Sequence, residues 1–146
     1  MIQELEMTLH QEIPLTKAMS LRVREASPDL VRLYLPIEPN INHKKTAFGG
    51  SLYSGAVLAG WGLLWCTLQE FEIKAQIVIA GSDMEYLAPV STHFEAICVA
   101  DEEAIDKAIK VLRRHGKAKV GLESVISCQD EACASFFGTY GLIRID

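Results

Sequence analysis

From Thr46 to Gln69 the chain carries no charged side chain. An apolar run of that length either crosses a bilayer or forms the middle of a protein core. The glycines at 49, 50, 55, 60 and 62 and several hydroxyls within it argue against lipid. The flanking segments argue the same way, because they read as strands that need a shared core for their apolar faces. The run is therefore expected to be a buried helix, from Gly49 to about Leu68, and not a membrane span.

The remaining elements follow from periodicity. Leu5, Leu9 and Ile13 share a helical face in the first segment, Met1 to about Met19, where Pro14 stops a short helix before a turn. Ser20 to Ala26 and Leu30 to Ile37 alternate as strands about a Ser27-Pro28-Asp29 turn. Lys74 to Val90 is rich in β-formers and ends at Pro89, and Thr92 to Ala100 is the next strand. In Asp101 to Arg114, Ile105, Ala108, Ile109 and Leu112 line one face of an amphipathic helix, with Asp101 as N-cap and Gly116 as C-terminal stop. Lys117 to Cys128 alternates, Gln129 to Ala132 turns, and Cys133 to Ile145 is the last strand. The pattern predicts one α+β domain over residues 1–146, with a mostly antiparallel sheet wrapped around a central apolar helix. Exposed sheet edges predict a homodimer, or a dimer of dimers.

Composition narrows the function classes. Apolar residues make up 49% of the 146 residues and charged residues 23%, enough for a packed core. The formal net charge of −5 disfavours nucleic acid as a partner. The N-terminus, MIQELEMTLHQEI, lacks the apolar region of a secretory leader, so a reduced, cytoplasmic protein is expected. Cys66, Cys98, Cys128 and Cys133 are then thiols, although Cys128 and Cys133 could face each other across a hairpin. No Cys/His set completes a tetrahedral metal site, and no cofactor is called for.

Chemistry concentrates in Asn40-Ile-Asn-His-Lys-Lys-Thr-Ala-Phe-Gly-Gly-Ser-Leu-Tyr-Ser54, a polar loop running into a glycine-started helix. First-turn N–H groups have no partner inside a helix. With the helix dipole they suit an anion, or a carbonyl oxygen gaining negative charge. The N–H of Gly50 or Ser51 is the candidate donor, and Gly49-Gly50 lets a ligand approach the backbone closely. The Ser51 hydroxyl is expected to help satisfy that first turn. The alternative reading of Gly49-Gly50 is a tight turn or a close helix–sheet contact.

The pattern Asn42-x-x-x-Thr46-x-Phe48-Gly49-Gly50-Ser51, followed by Leu52-Tyr53-Ser54 and the apolar Ala56-Val-Leu-Ala-Gly-Trp-Gly, resembles the YiiD C-terminal family of hot-dog domains, described as thioesterases. Met84-Glu-Tyr-Leu-Ala-Pro-Val90 resembles the Tyr-Leu-x-Pro strand end of many hot-dog thioesterases. The resemblance implies a substrate that is an acyl thioester of coenzyme A or of an acyl carrier protein, and active sites at a dimer interface. It implies catalytic roles for Asn42, Thr46, Gly50 and Ser51: Asn42 orients the thioester, Gly50 binds its carbonyl oxygen, and Thr46 or Ser51 bonds the acyl group or a water. His43, Phe48, Gly49 and Tyr53 are the substrate-binding candidates.

One departure matters. Many hot-dog thioesterases carry an acid on the central helix or in the loop before it, and none lies between Asn40 and Gln69. His43 could serve as base, but it sits beside Lys44 and Lys45 in a loop that solvent can reach. Asp83 and Glu85 alternate with Met84 and Tyr86, so they face away if those two face the helix. Hydrolysis needs an activated water, whereas decarboxylation of a malonyl thioester needs only a held carboxylate and a stabilised enolate oxygen. Hydrolysis leads as the commoner activity of the fold, decarboxylation is the alternative, and a non-catalytic acyl-binding module is the rival class. Trp61 and Trp65 share a helix face as core or acyl-pocket wall. His10, His93 and His115 read as surface residues, and Arg113, Arg114 and Lys117 as a solvated helix end or a phosphate contact.

Overall fold

The computed structural model describes residues 1–145. Helix α1 spans Ile2–Glu12 and buries Leu5 and Leu9. A second short helix, α2 (Leu15–Ala18), stands where the sequence suggested only a turn. Pro14 explains it: with φ −55° it terminates α1 and starts the next helical turn. Strands β1 (Arg22–Ala26) and β2 (Leu30–Leu35) follow, then a 3-10 turn over Glu38–Asn40. Next come α3 (Gly49–Glu70), β3 (Ala75–Tyr86), β4 (Phe94–Val99), α4 (Glu102–His115), β5 (Lys117–Cys128) and β6 (Glu131–Arg144).

The six strands form one sheet in the order β1-β2-β4-β5-β6-β3, and every neighbouring pair is antiparallel. Helix α3 touches all six strands. It is long and apolar enough to cross a membrane, yet 67% of its most apolar window is buried inside the protein. The alternating residues supply the facing surface: Val31, Leu33 and Leu35 on β2, and Ala118, Val120, Leu122 and Ile126 on β5, are all buried. Tyr140 on β6 is fully buried and reaches the helix backbone, with its hydroxyl donating to the Val57 carbonyl. Cys66 and Cys98 lie in the same core, and burial pushes both thiols up to about 11. All four cysteines, Cys128 and Cys133 included, are free thiols.

Helix α4 is capped as its sequence requires. Asp101 accepts the Ala104 N–H at 3.2 Å, and Gly116 closes the end with φ 78°. The β5–β6 turn is tighter than Gln129 to Ala132: Gln129 and Asp130 alone form it, with φ 51° and 62°, the left-handed pair that a two-residue hairpin demands. The strands expected from Leu30 to Ile37 and from Lys74 to Val90 are shorter, Leu30–Leu35 and Ala75–Tyr86. Strand β2 stops directly before Pro36, which cannot donate to the ladder, and β3 ends where the Leu87 and Ala88 N–H groups both turn to the Cys133 carbonyl.

Strand β3 lies at one edge of the sheet and is irregular. Ile79 pairs with Tyr140 but Gly81 pairs with Thr139, so Ala80 is an extra residue, a β-bulge. Before the bulge Ile77 and Ile79 face the helix. After it Ser82, Met84 and Tyr86 do, the first bonded to Tyr53 and the last to Gly49. Asp83 and Glu85 fall on the opposite face, beside the exposed Phe137 of β6.

Candidate functional site

The polar loop folds as a tight hairpin that delivers the chain to α3. Its arms meet in an Ile41–Ala47 bridge, the Phe48 N–H donates to the Asn40 carbonyl at 2.7 Å, and the Ala47 N–H donates to the Val90 carbonyl at 2.7 Å. Asn40 anchors the whole unit: it is buried, and its amide donates to the Met19 and Pro36 carbonyls at 3.0 and 2.7 Å. At the tip, Asn42 and Thr46 come together. The Asn42 side-chain oxygen accepts the N–H groups of Lys44 and Thr46 at 2.9 and 3.2 Å, and its amide nitrogen donates to the Thr46 hydroxyl at 3.0 Å. Asn42 thus builds the loop as well as presenting an amide to it. His43 projects, exposed, from the tip.

Helix α3 begins at Gly49 with Phe48 as its N-cap, and among the described residues no side chain caps it. This corrects the expectation for Ser51: it sits in the third helical position, and its own N–H donates back to the Phe48 carbonyl at 2.9 Å. Among the described residues, the N–H groups of Gly49 and Gly50 have no acceptor. Of the two candidate donors, Gly50 is therefore the open one. The exposed Phe48 ring lies directly beside Gly50, where any side chain would collide with it.

An open hollow of about 330 Å³ adjoins this helix start, lined by Ala47, Gly49, Leu52, Tyr86 and Leu87 to Val90. Among the described residues none of its lining is acidic or a histidine, and the Tyr86 phenol is the one titratable group there. Tyr86 donates to the Gly49 carbonyl at 3.0 Å. Tyr53 points from the first turns of α3 to the Ser82 hydroxyl and packs edge-on against Phe136. Sequence reasoning missed Tyr86 and Ser82. The signal for Tyr86 was its place two residues after Met84, on the face predicted to look at the helix.

A second, larger groove of about 740 Å³ runs between the C-terminal half of α3 and the start of β3, walled by Trp61, Trp65, Ile77 and Val78. With Tyr53 and Val57, the two tryptophans form a half-buried stripe along α3. The histidines lie elsewhere. His10 is half-buried and its Nε2 bonds the Leu21 carbonyl at 2.9 Å, a structural role and not the free surface position expected. His93 Nδ1 accepts the Ile37 N–H at 3.3 Å, and His115 is exposed. Arg113 stacks on Phe71 and donates to its carbonyl. Among the described residues, no three His, Cys, Asp or Glu side chains converge on a point that could hold a metal.

One antiparallel sheet around one long apolar helix, with an uncapped helix N-terminus opening on a hollow, is the hot-dog architecture in its thioesterase-like form. The chain belongs to the family described as "Putative thioesterase (yiiD_Cterm)", whose model matches residues 2–144. It is similar to a protein of unknown function from Chlorobaculum tepidum TLS, with 34% identity over 98% of this chain and 94% of that one and a TM-score of 0.92. A "putative thioesterase" from Shewanella oneidensis is 32% identical over 97% of this chain and 96% of that one, with a TM-score of 0.89. A "probable thioesterase" from Pseudomonas aeruginosa shares the fold at 21% identity, covering 98% and 95% of the two chains with a TM-score of 0.84.

Proposed function

We propose that this protein acts on an acyl thioester of coenzyme A or an acyl carrier protein, held with its carbonyl oxygen on the Gly50 N–H. The observation that carries this reading is that open N–H, at the start of a charge-free helix and beside a hollow that pantetheine could enter. A donor of this kind stabilises the developing oxyanion by about 3–4 kcal/mol. Asn42 and Thr46 orient the acyl group, Ser51 offers its hydroxyl from the first turn, and His43, Phe48, Gly49 and Tyr53 border the path. The family description and the Shewanella relative support hydrolysis, in which water adds to the carbonyl carbon and the C–S bond breaks to release the thiol.

A specific observation favours a second reaction. Among the described residues no carboxylate lines the hollow, and Asp83 and Glu85 are on the far face of the sheet. Decarboxylation of a malonyl thioester needs no such group. The bond from Cα to the carboxylate carbon breaks, CO2 leaves, the electron pair passes into an enolate whose oxygen the Gly50 N–H stabilises, and a proton added at carbon gives the acetyl thioester.

The working unit in this reading is a cytoplasmic homodimer. Strand β3 leaves one backbone edge unpaired and exposes Val78, Ile79 and Tyr86, and the Tyr53, Val57, Trp61 and Trp65 stripe lies beside it. Pairing two β3 edges covers that stripe and encloses each hollow. Mass spectrometry of the protein incubated with malonyl-carrier protein and a panel of acyl-CoAs tests the reaction. A free pantetheine thiol means hydrolysis, an acetyl thioester without free thiol means decarboxylation, and intact thioesters throughout refute both in favour of an acyl-binding module.

A further inference from the structure

We infer that Tyr86 is a positioning residue: its hydroxyl orients and polarises the peptide group whose N–H, that of Gly50, receives the substrate's carbonyl oxygen. The inference rests on the assignment of Gly50 as that donor. Gly49 C=O and Gly50 N–H belong to one planar peptide unit, and in a trans peptide they point in opposite directions. A hold on the oxygen therefore fixes the direction of the N–H. The helix already directs this first-turn carbonyl, and Tyr86 adds a second hold from β3 with its 3.0 Å bond to the Gly49 oxygen. Hydrogen bonding at the oxygen also draws electron density towards it, which makes the N–H at the other end of the same unit a stronger donor.

Two further features bear on this bond. A Cβ at residue 49 would meet the Tyr86 ring at 3.4–3.5 Å, ordinary contact distance, so the ring lies packed against the helix start. The strand end is also clamped, because the N–H groups of Leu87 and Ala88 both donate to the Cys133 carbonyl, at 2.9 and 3.1 Å. Tyr86 is thus held from the sheet and presented to the helix, although 54% of its surface is exposed. A phenol with this exposure could satisfy its hydroxyl with water; here it is directed to the one peptide group the chemistry uses.

Tyr86→Phe tests the inference, because it keeps the ring and removes only the hydroxyl. Two readouts are taken together. In the amide proton–nitrogen spectrum of the protein without substrate, the Gly50 proton is expected to move upfield while amides of the middle of α3 stay in place. In turnover of the thioester that the wild type accepts, kcat is expected to fall about three- to tenfold with KM held, the size of one lost hydrogen bond. An unmoved Gly50 proton, or a variant with wild-type kcat, overturns the inference. So does a variant that melts earlier and raises KM while keeping kcat, since that describes a wall and not a polarising contact. A wild type that leaves every thioester intact refutes the functional assignment instead, and the Gly50 resonance still decides whether Tyr86 acts on that peptide group.

Discussion

The Tyr140 hydroxyl donates a 2.7 Å hydrogen bond to the carbonyl oxygen of Val57, joining β6 to the middle of the helix. Gly60, one turn further along, makes room for it: a side chain there would overlap the phenol. Burial raises the Tyr140 phenol well above its ordinary range, so it remains a donor at any working pH. Gly60→Ala is expected to destabilise the protein despite the gain of about 1 kcal/mol in helix propensity, because overpacking costs about 1–3 kcal/mol. In a urea titration, Tyr140→Phe should lose about 1 kcal/mol, and the double variant should lose less than the sum of the two. Additive losses would mean that the two positions do not compete for the same space.

Asn42 separates loop construction from chemistry. Asn42→Asp keeps the oxygen that accepts the Lys44 and Thr46 N–H groups and loses the amide donor. It should fold with a melting temperature close to wild type and turn over thioester at least tenfold more slowly. Asn42→Ala should lose both, with a stability deficit of about 1–2 kcal/mol. Full activity in the Asp variant would remove the Asn42 amide from the mechanism.

Alkaline pH should unfold the protein through its core. For Cys66 and Cys98 the folded thiol is raised by burial from 9.0 to about 11. Between those values the unfolded chain has lost the protons that the folded chain retains, so stability falls as pH rises from about 9 to 11. Tyr140 adds to the same trend above its ordinary value of 10.0. Melting temperatures across that window should decline, and Cys98→Ala should flatten the decline. A flat profile in the wild type would contradict the burial account.

The Tyr53-to-Trp65 stripe should carry the dimer. Trp61→Glu places a charge in the middle of it, and light scattering should then find the chain mass where wild type gives twice that value. Thioester turnover should fall with it. A dimeric Trp61→Glu variant would move the interface elsewhere.

Much of this architecture was legible in advance for identifiable reasons. The charge-free stretch could only be a core helix once strands stood on both sides. Asp101 and Gly116 mark α4 because capping chemistry is local. The outward placement of Asp83 and Glu85 followed from Met84 and Tyr86 facing in. What was not legible depends on contacts distant in sequence or on a slip in register. Tyr86 meets Gly49 across a gap that no periodicity measures. Ser51 was expected to satisfy first-turn N–H groups although the helix was already read from Gly49; as the third helical residue its side chain lies past the position from which a cap can act. Gln129-Asp130 is not a pair that announces two left-handed residues, so the turn looked longer than it is.

The bulge at Ala80 decides which side chains of β3 look at the helix. A regular β3 continuing inward from Ile77 and Ile79 would turn Gly81, Asp83 and Glu85 to the helix, placing two carboxylates on the inner face of the strand. One extra residue shifts the phase of the strand, and a serine, a methionine and a phenol take their place. On this strand, exchanging an acidic inner face for an uncharged one requires no new side chains, only a change of half a pleat at one edge.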